Sequence, residues 1–128
     1  MDELITRITT RTGLDADTAY NAVGIILGFL VKEGPPEEVA RLMEAMPEAP
    51  DAIAKGEAAA GGGGMMGAMG GMMGGGVMAL GGKLMGVGVS MGQMQPLGKE
   101  LFAYGREHAG EDTMGAIVGA VPGLGQFV

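Results

Sequence analysis

Between Ala58 and Gly82 the chain runs for 25 residues without one charged side chain, and 12 of those residues are glycine. The rest are 5 alanines, 6 methionines, Val77 and Leu80. A glycine inside a helix costs up to ~1 kcal/mol relative to alanine. Summed over the tract, that cost is on the order of 10 kcal/mol, with few large side chains to offset it. The composition therefore predicts a flexible linker over 61–76 and divides the chain into an N-terminal helical repeat (1–57), a Gly/Met-rich linker or glycine-zipper segment (58–76) and a C-terminal helical repeat (77–128). The fold expected is all-α, with two related short-helix mini-bundles joined by the Gly/Met-rich segment.

Helical periodicity supports that reading on both sides. Leu4, Ile5, Ile8 and Leu14, with successive spacings of one, three and six, form an amphipathic pattern that Gly13 ends. Asp15 is a natural N-cap for a longer helix whose apolar positions, Ala19, Ala22, Val23, Ile26, Leu27 and Leu30, keep the 3.6-residue period until Gly34 stops it. Pro35-Pro36-Glu37-Glu38 opens a third helix, because proline loses no needed N–H in the first turn and carboxylates favour the positive end of the helix dipole. Its inward face is Val39, Leu42, Met43 and Met46. Pro47 and Pro50 break the chain again before a weaker helix over 51–60. Beyond the tract, Val77, Leu80, Leu84 and Val87 form one apolar face, and a second helix runs from Pro96 to His108, with Gly98 and Gly105 loosening it. After Gly110, Glu111 and Asp112 start the last helix, with Met114, Ile117, Val118 and Val121 inward.

These segments recur at a fixed distance. A shift of 75 residues lays Gly13 on Gly88, Ile26 on Leu101, Phe29 on Tyr104, Val39 on Met114, Leu42 on Ile117 and Pro47 on Pro122 without a gap. The match is one of pattern rather than identity, as expected of an internal repeat. One departure is Pro96, opposite Asn21, which should shorten or kink the second copy's long helix.

Composition then excludes several function classes. At 128 residues there is room for one small domain or two mini-bundles, too little for an ordinary two-domain enzyme. With 47% hydrophobic residues, wholesale disorder is not expected. Fifteen acids against eight bases, without a basic run, make nucleic acid a poor partner. The absence of cysteine removes disulfides, thiolate metal sites and a cysteine nucleophile. The acidic Met1-Asp2-Glu3 start, with no apolar stretch directly after it, reads as a cytoplasmic protein rather than a secreted one. No cofactor is expected.

The punctuation of the two copies, Ile26 to Lys32, Gly34 to Glu38 and Leu42 to Pro47 echoed by Leu101 to His108, Gly110-Glu111-Asp112 and Ile117 to Leu124, resembles small all-helical bacterial domains of unknown function of the VcgC/VcgE type. The resemblance implies a bacterial, all-helical protein and supplies no activity or site residues. The Gly/Met tract lies outside it, and in composition is similar to the Gly-Gly-Met tail of large chaperonin subunits.

Three features could carry chemistry. Met65, Met66, Met69, Met72 and Met73 are soft thioethers that can wrap Cu(I) or Ag(I); the competing reading is a metal-free, adaptable apolar tract. Gly63, Gly67, Gly71 and Gly75 recur every four residues and, on a helix, form a smooth stripe of the kind that packs helices in membranes. The uncharged tract is also long enough to span a bilayer, although glycine adds little apolar area. Glu107, His108, Glu111 and Asp112 form a polar set that helix capping already explains. The function expected is therefore a non-enzymatic helical interaction or scaffold protein that binds a protein partner or forms a homo-oligomer through apolar helix faces. Met43, Met46, Met85 and Met114 would be its adaptable contact elements. A membrane-associating protein inserting the glycine-zipper segment and a Met-rich Cu(I)/Ag(I) binder are the alternatives.

Overall fold

The computed structural model describes residues 2–59, 77–121 and 124–127, so the Gly/Met-rich linker expected over 61–76 lies outside the described residues. Among the described residues there are seven α-helices and no strand: α1 Asp2–Thr12, α2 Ala16–Glu33, α3 Pro36–Ala45, α4 Ala49–Ala59, α5 Val77–Gly86, α6 Met91–Ala109 and α7 Glu111–Ala120, followed by a 3-10 turn over Leu124–Phe127.

The local rules read from the sequence account for most boundaries. Gly13 takes a φ of 78° and its amide donates to the Thr9 carbonyl at 2.9 Å, which closes α1. Left-handed backbone of this kind carries a steric cost for any residue with a Cβ. Asp15 occupies the N-cap of α2 and Pro35 that of α3, with Pro36 in the first turn. Two prolines behave differently from expectation. Pro50 sits in the first turn of α4 and starts that helix instead of breaking it, since no amide is needed there. Pro96 lies inside α6, which runs unbroken from Met91. The reason is a strong start five residues upstream: Gln93 Oε1 accepts from the Ser90 amide at 3.0 Å and from the Ser90 hydroxyl at 3.1 Å.

The order of the elements can be set beside the 75-residue shift. The starts at Asp2, Ala16, Pro36 and Ala49 recur at Val77, Met91, Glu111 and Leu124, a constant offset of 75 residues. Gly88, the counterpart of Gly13, also has a positive φ, 106°. In the second copy the fourth helix is replaced by the 3-10 turn.

The packing joins the copies. α1 lies against α6 as well as α2, α5 lies against α2 as well as α6, and α3 lies against α7. One apolar cluster runs through all of this, from Leu4, Ile8 and Leu27 in the first copy to Leu84, Phe102 and Ile117 in the second. The most intimate pairing is α2 with α4. There Gly24 meets the Ala52 carbonyl, and a Cβ on Gly56 would stand 2.5 Å from the Asn21 carbonyl oxygen and 2.8 Å from the Ile25 nitrogen. Backbones can come this close only because neither glycine has a side chain.

Candidate functional site

Two surface regions and one seam between the copies hold the side chains able to do chemistry or binding. The seam joins α1 to α6. Arg7 and Arg11, one helical turn apart, both reach Glu100: Arg7 Nε donates to Oε2 at 3.2 Å and Arg11 Nε to Oε1 at 2.8 Å. Arg7 Nη1 also donates to Glu107 Oε2 at 2.8 Å. Further along, Gln93 Nε2 donates to the Thr12 carbonyl at 3.0 Å, tying the start of α6 to the end of α1. Glu100 is only 12% exposed. The Arg11 hydrogen bond, aided by Arg7 and opposed by burial, holds its carboxyl below the usual glutamate range.

A group whose folded pKa is depressed stabilises the protein above its unfolded pKa, and that contribution is lost as pH falls through the folded value. The seam should therefore loosen as pH drops below the ordinary glutamate value of 4.5. Thermal melts of wild type and Glu100→Gln across this range test it. The wild type should lose the stability that separates it from the variant as Glu100 protonates, and a gap that does not narrow on acidification would contradict the assignment.

The second region is a shallow groove of 390 Å³ where α1, α2 and α4 meet, lined by Asp2, Ile5, Thr6, Asp17, Tyr20 and Lys55 among others. Lys55 Nζ stands 5.4 Å from the Tyr20 ring centroid, within cation–π range. Burial, with Asp51 and Glu48 nearby, pushes the Tyr20 hydroxyl pKa up, so it is a neutral phenol at neutral pH.

The third region is the corner between α5 and α6. Met85 is 57% exposed and Met91 76%, the two flanking the turn at residues 87–90; the other large exposed apolar side chain among the described residues is Val31 of α2. Of the methionines read as contact elements, Met85 alone faces solvent. Met46 and Met114 are buried in the shared core, Met43 is half-buried against it, and Gly105 makes room for the Met114 thioether, whose sulfur would lie 2.8 Å from a Cβ at that position. Gly105, read as loosening its helix, is thus a packing position.

Met65, Met66, Met69, Met72 and Met73 and the stripe Gly63, Gly67, Gly71 and Gly75 lie outside the described residues. His108 is exposed, with its ring 4.1 Å from that of Tyr104. Glu107 belongs to the seam, while Glu111 and Asp112 occupy the first turn of α7. Among the described residues no group of three or more His, Cys, Asp or Glu side chains could hold a metal ion. Nor is any single described helix long and apolar enough to cross a membrane; α1 and α2 combine the needed length and apolar composition only together, across a bend of 109°.

Sequence reasoning missed the Arg7–Arg11–Glu100–Glu107 seam and the Gly24/Gly56 crossing. A faint signal existed for each. Arg7 and Arg11 are one turn apart, as Glu100 and Glu107 are two turns apart, so each pair shares a helix face, while Gly24 and Gly28 interrupt an otherwise apolar helix at a four-residue spacing. Among the described residues the fold is all-helical. Comparison with protein-family models, curated proteins and solved structures finds no match.

Proposed function

We propose that the chain is a non-enzymatic helical interaction protein, built from two related short-helix halves, that associates with a protein partner or a second copy through an apolar helix face. The observation that supports this reading is the pair of exposed methionines, Met85 and Met91, bracketing the α5–α6 corner. Methionine is unbranched and polarizable, so it adapts to an irregular apolar partner surface. Large apolar side chains left in water favour association, because contact removes their surface from solvent. The readings of the Gly/Met tract as a membrane segment or a soft-metal ligand rest on residues outside those described, and no described residue favours either.

The test is light scattering over a dilution series. Wild type should show a mass that rises with concentration, and Met85→Glu/Met91→Glu should remove the rise while leaving the thermal melt unchanged. A wild type that keeps monomer mass throughout would count against self-association, and a double variant that associates as before would remove the corner from the interface.

A further inference from the structure

The packing between the copies has the form of a two-fold interface. An isologous dimer interface requires that if element i of one subunit touches element j of the other, then j touches i in return. Here the 75-residue offset pairs α1 with α5, α2 with α6 and α3 with α7. Under that pairing, α1 on α6 and α5 on α2 are reciprocal contacts, and α3 on α7 is its own counterpart, as at a two-fold axis; all three are present. The symmetry is broken in detail. α3 also packs on α6, and the Arg–Glu seam of α1 and α6 has no equivalent between α5 and α2, where the ion pair between the halves is Lys83 Nζ with Glu57 Oε2 of α4 at 3.9 Å. The counterparts of Arg7 and Arg11 are Gly82 and Gly86, and those of Glu100 and Glu107 are Ile25 and Lys32.

We infer that the interface between the two halves is complete in its own residues and can form between two chains, so that a second copy of this protein is a partner through exchange of halves. In the exchanged dimer, residues 2–59 of each chain pack against 77–127 of the other. Every inter-half contact, including Arg7 and Arg11 with Glu100 and Glu107 and the Gln93 bond to Thr12, is then remade twice. No new surface is needed, which is why exchange of an identical element is a low-cost route to dimers. The half carried in the same chain competes as an intramolecular partner, so the wild-type chain closes on itself at ordinary concentrations and exchange shows only under a bias.

The one-sided seam supplies the bias. In full-length chains, Arg7→Glu/Arg11→Glu places four acidic side chains across the seam, and Glu100→Lys/Glu107→Lys places four basic ones. Each variant alone repels its own second half. Unfolded together and refolded as a 1:1 mixture, they restore opposite charges only by exchanging halves. The expected result is a mixed species of twice the monomer mass that contains both chains and melts above either variant alone. A mixture that yields only the two separate monomers, or no folded protein, overturns the inference; variants that fail to fold alone but fold together support it. Repeating the mixture on the Met85→Glu/Met91→Glu background separates this interface from the methionine corner. Exchange should persist there, whereas loss of the mixed dimer would assign it to the corner instead.

Discussion

Gly24→Ala is expected to cost about 3 kcal/mol or more, toward the upper end for an overpacked core, and to lower the melting temperature by roughly 10–15 °C. The added methyl group meets the backbone carbonyl of Ala52, an atom that cannot rotate aside as a side chain can. Relief therefore requires α4 to move off α2, which is the most intimate helix pairing among the described residues. Gly56→Ala should act in the same direction, because its Cβ would press on the backbone of Asn21 and Ile25 from the other side of the same crossing. The control is Gly115→Ala/Gly119→Ala in α7, where a Cβ meets nothing within 4 Å and both positions are exposed. There alanine should stabilise by about 0.5–1 kcal/mol per site through helix propensity alone. Thermal melts of the variants decide it: equal shifts at Gly24 and at the two α7 glycines would mean that α2 and α4 do not touch through their backbones.

That contrast also marks the limit of what the sequence discloses. A glycine in a helical pattern reads as a propensity cost whether its missing Cβ faces water, as at Gly119, or another backbone, as at Gly24. The difference is set by an element distant in the chain. The same holds for methionine. Met46, Met85 and Met114 share one residue type and similar periodic settings, yet two fill the core and one faces solvent. Local punctuation fared better, because its causes are local. Gly13, Asp15, Pro36, Gly34 and Gly110 act on backbone groups within a turn of themselves, and the helices end or begin there. Pro96 is the instructive exception. A proline costs its helix one hydrogen bond, but the Ser90–Gln93 start and the burial of Met94, Leu97, Leu101 and Phe102 favour continuing through it. The helical class was legible in the periodicity, and the packing of α1 on α6 and α5 on α2 was not, because periodicity gives each helix an apolar face without naming its partner.

Phe102→Ala should be the most damaging truncation in the second half, and its consequences should reach the first. Phe102 is the largest of the fully buried side chains among the described residues, and α6 packs against α1, α3, α5 and α7. Removing a buried phenyl ring loses its transfer energy and leaves a cavity that surrounding helices fill only in part, a cost of about 3–5 kcal/mol. Small domains have roughly 5–15 kcal/mol of stability in all, so the variant should be close to the folding threshold. If each copy kept its own core, α1 to α4 would retain their protection against amide exchange while α5 to α7 lost theirs. With one cluster running from Leu4 to Ile117, the opening that exposes α6 also strips α1 of its partner and leaves Arg7, Arg11 and the partly buried Glu100 without the geometry that satisfies them. Amides of α1 and α6 should therefore accelerate together and by the same factor in the variant. Protection surviving in α1 while α6 exchanges freely would show that the halves fold independently, and the shared cluster would then be a contact between finished units rather than the core on which both depend.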